Sequence, residues 1–266
     1  MPQRTEDDVR RTIGAFKHWY HTIEVAPGIC TPGCQNSPSV LTTLEQLGLP
    51  SDLAGKRVLD VGARDGFFSF AAEKRGADVV AVDYAEPSVT GFGIAAELLG
   101  SRVPYHVDNV YDLSPEKTGL FDVILFLGVI YHLRNPMLAL DRLRSLCKPD
   151  ALLLIETALL PTPLTERLSR LKRLGNLLLG KKEAETGSPL WQFAPGTSLN
   201  HDGTNCWVPS MEGLKAAVCD AEFEVLASRA EGGRGLLAAR AHADPEAARF
   251  RELDGSKALF QNELKR

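Results

Sequence analysis

Between residues 57 and 157 the chain alternates short apolar runs with stretches of helical period, and this alternation narrows the available folds more than any other feature. RVLDV (57–61), DVVAVD (78–83), residues 103–107, FDVILFLG (121–128) and ALLLIET (151–157) are predicted strands. GFFSFAAEKRG (66–76) and residues 88–99 and 135–147 are the predicted helices between them. Strands this uniformly apolar are buried on both faces, the condition of parallel strands covered by helices. FEVLASR (223–229) and GLLAARA (235–241), joined by the turn EGGR, add an antiparallel hairpin. The expected fold class is α/β, a doubly wound, mostly parallel seven-stranded sheet of Rossmann-like form with an inserted helical and loop lid.

The rest of the chain is expected to divide around that sheet. Residues 1–50 form an N-terminal helical cap, with helices over 5–18 and near 38–48 and a Pro/Gly/Cys-bearing loop between them. Residues 51–157 are the cofactor-binding core and 158–207 the lid. The lid comprises a basic amphipathic helix, TERLSRLKRLGNLLLGKK (165–182), and a polar, aromatic loop, SPLWQFAPGTSLNHDGTNCW (188–207). Helix 209–221 and the hairpin complete the core over 208–243, and the charged tail 244–266 is read as a surface helix.

Composition sets limits on function. The chain has 266 residues, 44% hydrophobic and 24% charged, enough to close one large core. Thirty Lys and Arg against 34 Asp and Glu leave a net charge of −4, which disfavours a nucleic-acid partner. No apolar run approaches the roughly 20 residues of a membrane span, and MPQRTEDDVRR is too charged for a signal peptide, so a cytoplasmic location is expected. Cys30, Cys34, Cys147, Cys206 and Cys219 are too scattered for a disulfide framework, and Cys30 with Cys34 lacks the second pair of a zinc site. A homo-oligomer is left open.

VLDVGARDGFF (58–68) reads as strand, glycine-bearing turn and helix, the first unit of a nucleotide-type site. Gly62 and Gly66 let the backbone approach a ligand, and Asp83, ending the next strand, suits a ribose diol. Asp108 ends the third strand, placed to accept from an adenine amino group. Gly62 and Gly66 enclose Ala63, Arg64 and Asp65, which is not the dinucleotide spacing G-x-G-x-x-G. An adenosine ligand carrying an amino acid fits better than a pyrophosphate. A nicotinamide oxidoreductase is the fallback, and a non-enzymatic cofactor-binding protein a further rival.

With DVGARDGFFSF, FLGVIYHLRNPMLAL (126–140) and NCWVPSMEGL (205–214), the chain resembles the class I S-adenosylmethionine-dependent methyltransferases. Within them it looks like the tRNA wobble-uridine carboxymethyltransferases and their small-molecule O-methyltransferase relatives. The resemblance implies that Asp60, Gly62 and Gly66 shape the methionine side of S-adenosylmethionine. It assigns Asp83, with Tyr84 beside it, to the ribose, Asp108 and Asn109 to the adenine, and Leu127 and Gly128 to the floor under the sulfonium. Arg64 stands where a glycine is common. In the wobble-uridine enzymes a lysine, a tyrosine and an arginine hold the additional carboxylate of carboxy-S-adenosylmethionine. Tyr131 and Arg234 match two of these, while HWYHTIEVAPGICTPG offers no matching lysine, Lys17 being the nearest cation.

Ordinary methyl transfer to a hydroxyl of a small molecule, a sugar, oligosaccharide or secondary metabolite, is therefore the expected function, with tRNA wobble-uridine modification as the alternative. Tyr131 and His132 follow the fourth strand, and His132 is the expected base. His21, Glu156, His201, Asp202, Asn205 and Arg234 are expected on the acceptor side. Glu156, His201 and Asp202 are also the candidate ligands for a divalent cation such as Mg²⁺, should one be used.

Overall fold

A computed structural model describes residues 4–34, 37–161, 189–199 and 201–243. In chain order the elements are α1 (Glu6–Ala15), β1 (Glu24–Ala26), β2 (Ile29–Cys30), α2 (Ser37–Gln46), β3 (Arg57–Val61), α3 (Phe67–Glu73), β4 (Asp78–Asp83), α4 (Pro87–Thr90) and α5 (Phe92–Leu99). They continue with β5 (Tyr105–Val107), α6 (Pro115–Thr118), β6 (Phe121–Leu127), α7 (Pro136–Ser145), β7 (Cys147–Ala158), β8 (Trp191–Phe193), β9 (Trp207–Pro209), α8 (Met211–Asp220), β10 (Phe223–Glu231) and β11 (Arg234–Ala241).

The main sheet has seven strands in the order β10-β11-β7-β6-β3-β4-β5. β7, β6, β3, β4 and β5 run parallel, and β11 lies antiparallel between β7 and β10. The expected α/β fold is therefore the observed one. From β3 the chain builds outward to β4 and β5, then returns to lay β6 on the other side of β3. The strand order reverses between β3 and β6, and in such sheets the crevice at the carboxyl ends of that pair receives the ligand.

Side-chain alternation explains why both faces are covered. Leu59, Val61, Ile124 and Phe126 point into one core with Leu140 and Leu143 of α7 and Leu214 and Val218 of α8. Val58, Val123 and Leu125 point into the opposite core with Leu44 of α2 and Phe68 and Ala72 of α3.

Three local expectations need correction. The helix foreseen over 88–99 is two helices broken at Gly91, whose φ is +85°. A Cβ there would lie 2.8 Å from the Phe16 ring and 3.1 Å from that of Trp19, so the break admits the N-terminal segment. The loop after α1 contains the β1–β2 ribbon. The aromatic loop 188–207 contributes β8, which pairs antiparallel with β9, Phe193 opposite Trp207. The basic helix 165–182 and the tail 244–266 lie outside the described residues. No described helix is long and apolar enough to cross a membrane.

Candidate active site

The turn after β3 is held from three directions. Gly62 and Gly66 have φ of +78° and +93°, and a Cβ on Gly62 would stand 2.3 Å from Val129 Cγ2, just beyond β6. Only glycine lets the two strand ends approach so closely. Arg64 also has a left-handed φ, +55°. That conformation explains why glycine is common at this position. The Arg64 N–H donates to Asp83 Oδ2 at 3.0 Å, and its guanidinium lies 5.8 Å from the Tyr20 ring centre.

Asp83 is buried at the end of β4, and its Oδ1 accepts from the Ala85 N–H at 3.0 Å. Its carboxylate thus bridges two turns, and each oxygen retains a further acceptor site for a diol. Asp60 is buried on β3 and accepts from Ser69 Oγ at 2.6 Å. Burial pushes the Asp60 carboxyl up to about 6, against the Ser69 bond and nearby His21, with Asp83 adding to the rise. Tyr84 is 78% exposed beside this crevice. Asp108 Oδ1 accepts from the Asn109 N–H and Oδ2 faces Lys117 Nζ at 3.4 Å, while Asn109 Oδ1 accepts from the Tyr111 N–H and caps the turn 110–112.

On the other wall Leu127 ends β6, and Gly128, with φ +74°, follows it. A Cβ on Gly128 would lie 3.8 Å from both Glu156 Oε2 and the Tyr131 hydroxyl. Arg234, opening β11, grips Glu156 near the end of β7 with two donors: Nε reaches Oε1, and Nη2 reaches Oε2 at 2.5 Å. The guanidinium also sits 5.0 Å from the Tyr131 ring centre, with Nη2 donating to its hydroxyl at 3.4 Å. Burial lowers the arginine's proton affinity, but the hydrogen bonds and charge of Glu156 more than reverse this. Tyr20 belongs to the same group: burial pushes its hydroxyl up to about 12, with Tyr131 and Glu156 adding to the rise and Arg234 opposing it.

His132 is half-buried, its ring 4.2 Å from that of Tyr131. Its Nδ1 lies 2.9 Å from Thr204 Oγ1, which donates to Asp202 Oδ1 at 2.6 Å. Burial holds His132 below its ordinary value of 6.5, outweighing Asp202, which raises it, and assisted by Arg234. The segment bearing Thr204 is anchored beside it, with the Cys206 N–H on Tyr131 O at 2.8 Å and Trp207 Nε1 on Arg134 O at 3.2 Å.

The expected acceptor-side residues do not all gather here. His21 is buried against α3, its Nδ1 on Asp65 Oδ1. Asp65 Oδ2 accepts from the backbone N–H groups of Tyr20 and His21, both at 2.8 Å. Asn205 is buried and donates to Leu199 O, closing its own loop. His201 is exposed with a left-handed φ of +57°. The expected cation ligands Glu156, His201 and Asp202 do not converge. Arg234 takes both oxygens of Glu156, Thr204 takes Asp202, and among the described residues no group of three or more His, Cys, Asp or Glu is placed to hold a metal ion. Asp65, Tyr20 and Thr204 border the candidate site, and the sequence did not single them out. The one available signal was Asp65, an acid inside a glycine turn.

The sheet order and the switch-point crevice are those of the Rossmann-like methyltransferase fold. A methyltransferase-domain family profile matches residues 37–228, more than half of the chain, and the chain belongs to that family. It is similar to the ubiquinone biosynthesis O-methyltransferase of Xanthomonas euvesicatoria pv. vesicatoria (strain 85-10), 34% identical over 114 residues, 43% of this chain and 48% of that protein. The chain thus matches about half the length of its curated relatives. Among solved structures it is similar to the N-terminal domain of EvdMO1 in the presence of SAH and D-fucose, with TM-score 0.61, 17% identity and coverage of 91% of this chain and 98% of that one. It is also similar to the Burkholderia thailandensis 1,6-didemethyltoxoflavin-N1-methyltransferase with SAH, with TM-score 0.53, 19% identity and 77% of each chain.

Proposed function

We propose that this chain methylates a hydroxyl of a small polyhydroxylated molecule, a sugar or a secondary metabolite. The observation that carries the reading is His132, a half-buried histidine held below its ordinary value beside Tyr131 and just beyond the Gly128 turn. The crevice fits the cofactor: Gly62 leaves no room for a side chain, and Asp60 and Asp83 bring buried carboxylates to the ends of adjacent strands. Asp60, Gly62 and Gly66 would hold the amino-acid end, Asp83 with Tyr84 the ribose, and Asp108 and Asn109 the adenine, above a floor of Leu127 and Gly128.

When bound, S-adenosylmethionine supplies an electrophilic methyl group. A hydroxyl is a weak nucleophile, and His132, neutral at pH 7, is suited to take its proton as the new bond forms. Tyr131, Tyr20, Glu156 and Arg234 offer several hydrogen-bonding groups beside it, an arrangement suited to an acceptor with more than one hydroxyl. Both oxygens of Glu156 engage the Arg234 fork, so a further carboxylate on the methyl donor would have to compete for it, which favours the ordinary cofactor. The curated relatives are named O-methyltransferases, and one structural neighbour was solved with a sugar.

The test is methyl transfer from labelled S-adenosylmethionine to a panel of monosaccharides and to total tRNA. Labelled sugar is expected, with His132→Gln lowering kcat by about 10²–10⁴-fold while affinity for S-adenosylhomocysteine persists. Label in tRNA alone would establish the wobble-uridine reading, and full turnover by His132→Gln would remove His132 as the base.

A further inference from the structure

We infer that Thr204 and Asp202 are positioning residues that fix His132 in the tautomer protonated at Nδ1, so that Nε2 is the nitrogen offered to the acceptor. This rests on the base role proposed above for His132. The protons carried by Asp202, Thr204 and His132 decide the tautomer. The Thr204 N–H and hydroxyl both donate to Asp202 Oδ1, at 2.8 Å and 2.6 Å. Those two bonds hold the Asp202 carboxyl below the usual carboxylate range, so at neutral pH it only accepts. A threonine hydroxyl has one proton, and here Asp202 takes it. Thr204 Oγ1 can therefore meet His132 Nδ1, 2.9 Å away, only with a lone pair, and Nδ1 must be the donor. A neutral imidazole carries one N–H, which leaves Nε2 bare.

The arrangement also serves the charged state. When a proton moves from the acceptor hydroxyl to Nε2, the protons on Nδ1 and on Thr204 stay in place, and the resulting imidazolium faces the Asp202 carboxylate through Thr204. The other charge acting on His132 is Arg234 of β11, itself paired with Glu156 of β7. Tyr131 packs on it from its own segment. The insertion thus supplies the base with its orientation, and backbone bonds beside Tyr131 and Arg134 keep the two segments in register.

The tautomer can be read without knowing the acceptor. The full chain is labelled with ring-¹⁵N histidine, and long-range ¹H–¹⁵N spectra are recorded at pH 8, with His132 assigned by its loss in His132→Gln. The expected wild-type pattern is a protonated Nδ1 and an unprotonated Nε2. Thr204→Val is expected to release the preference and Thr204→Ser to keep it. On a sugar accepted by the wild type, kcat should fall on the order of 10²-fold in Thr204→Val and recover in Thr204→Ser, with KM little changed. A wild-type His132 protonated at Nε2 would overturn the relay while leaving the base reading to the His132→Gln assay. The expected tautomer with undiminished turnover in His132→Gln would instead overturn the base reading and, with it, any catalytic use of the relay.

Discussion

Asp60 illustrates how a single buried carboxylate at the candidate cofactor site costs the fold stability. Its folded-state value is raised from 3.8 to about 6, so between roughly pH 4 and pH 6 the native protein binds more protons than the unfolded chain. Its contribution is therefore fully present below about pH 4 and is lost as pH rises through 6. Asp60→Asn keeps an acceptor for Ser69 and removes the buried charge. It should stabilise the protein at pH 8 by on the order of 2 kcal/mol, an advantage that shrinks towards pH 4, while weakening S-adenosylhomocysteine binding. Urea titrations at the two pH values and calorimetry of the variant check both. Asp65→Ala acts the other way. It strands the part-buried N–H of Tyr20 and the buried N–H of His21 and should cost about 3 kcal/mol, measured by denaturant titration. For His132 the sign concerns rate: deprotonation activates it, so kcat/KM should rise through an acid limb centred below 6.5 and be level at pH 8. Gly62, Asp83 and His132 were legible in the sequence because a strand end fixes where each must sit. Asp65 and Thr204 were not, since their partners lie 45 and 72 residues away and no local pattern encodes such pairings.

At the scale of elements, the Arg234–Glu156 pair ties the start of β11 to the end of β7, next to the candidate acceptor site. The two ends differ in exposure: the arginine side chain is 34% exposed and the glutamate 9%. Removing the arginine leaves a buried carboxylate unmatched, whereas neutralising the glutamate leaves a cation that reaches water. Arg234→Met should therefore cost about 3 kcal/mol and Glu156→Gln about 1 kcal/mol, and equal losses in denaturant titrations would contradict that account. The central strands β3, β4, β6 and β7 were readable because each contains an apolar run buried on both faces. The break in 88–99 was not, because Gly91 answers to Phe16 and Trp19 rather than to its neighbours. The β8–β9 pairing was hidden because Trp191, Gln192 and Phe193 are only intermediate or exposed and lack a core face that alternates.

For the whole molecule, what was legible was the part dictated by topology. A parallel sheet with one reversal of strand order has one favoured ligand crevice, so a glycine turn at the end of β3 and acids at the ends of the next strands sufficed to indicate an adenosine cofactor. The acceptor is a different problem. The candidate walls are the N-terminal segment around Tyr20, β7 and β11, and the segment bearing Thr204, brought together by contacts that no periodicity specifies. Cofactor and acceptor recognition should therefore separate experimentally. A ligand that binds only the folded chain raises its stability by RT ln(1 + [L]/Kd), about 2.7 kcal/mol at a hundredfold excess over Kd. S-adenosylhomocysteine should raise the melting temperature by several degrees and NAD should not. Asp83→Ala, which removes the carboxylate bridging the Arg64 and Ala85 turns, should reduce that shift. Thr204→Val, on the opposite wall, should keep it in full while impairing turnover. Equal loss of the shift in both variants would mean that the two walls form one cooperative unit, and that the insertion helps to build the cofactor site.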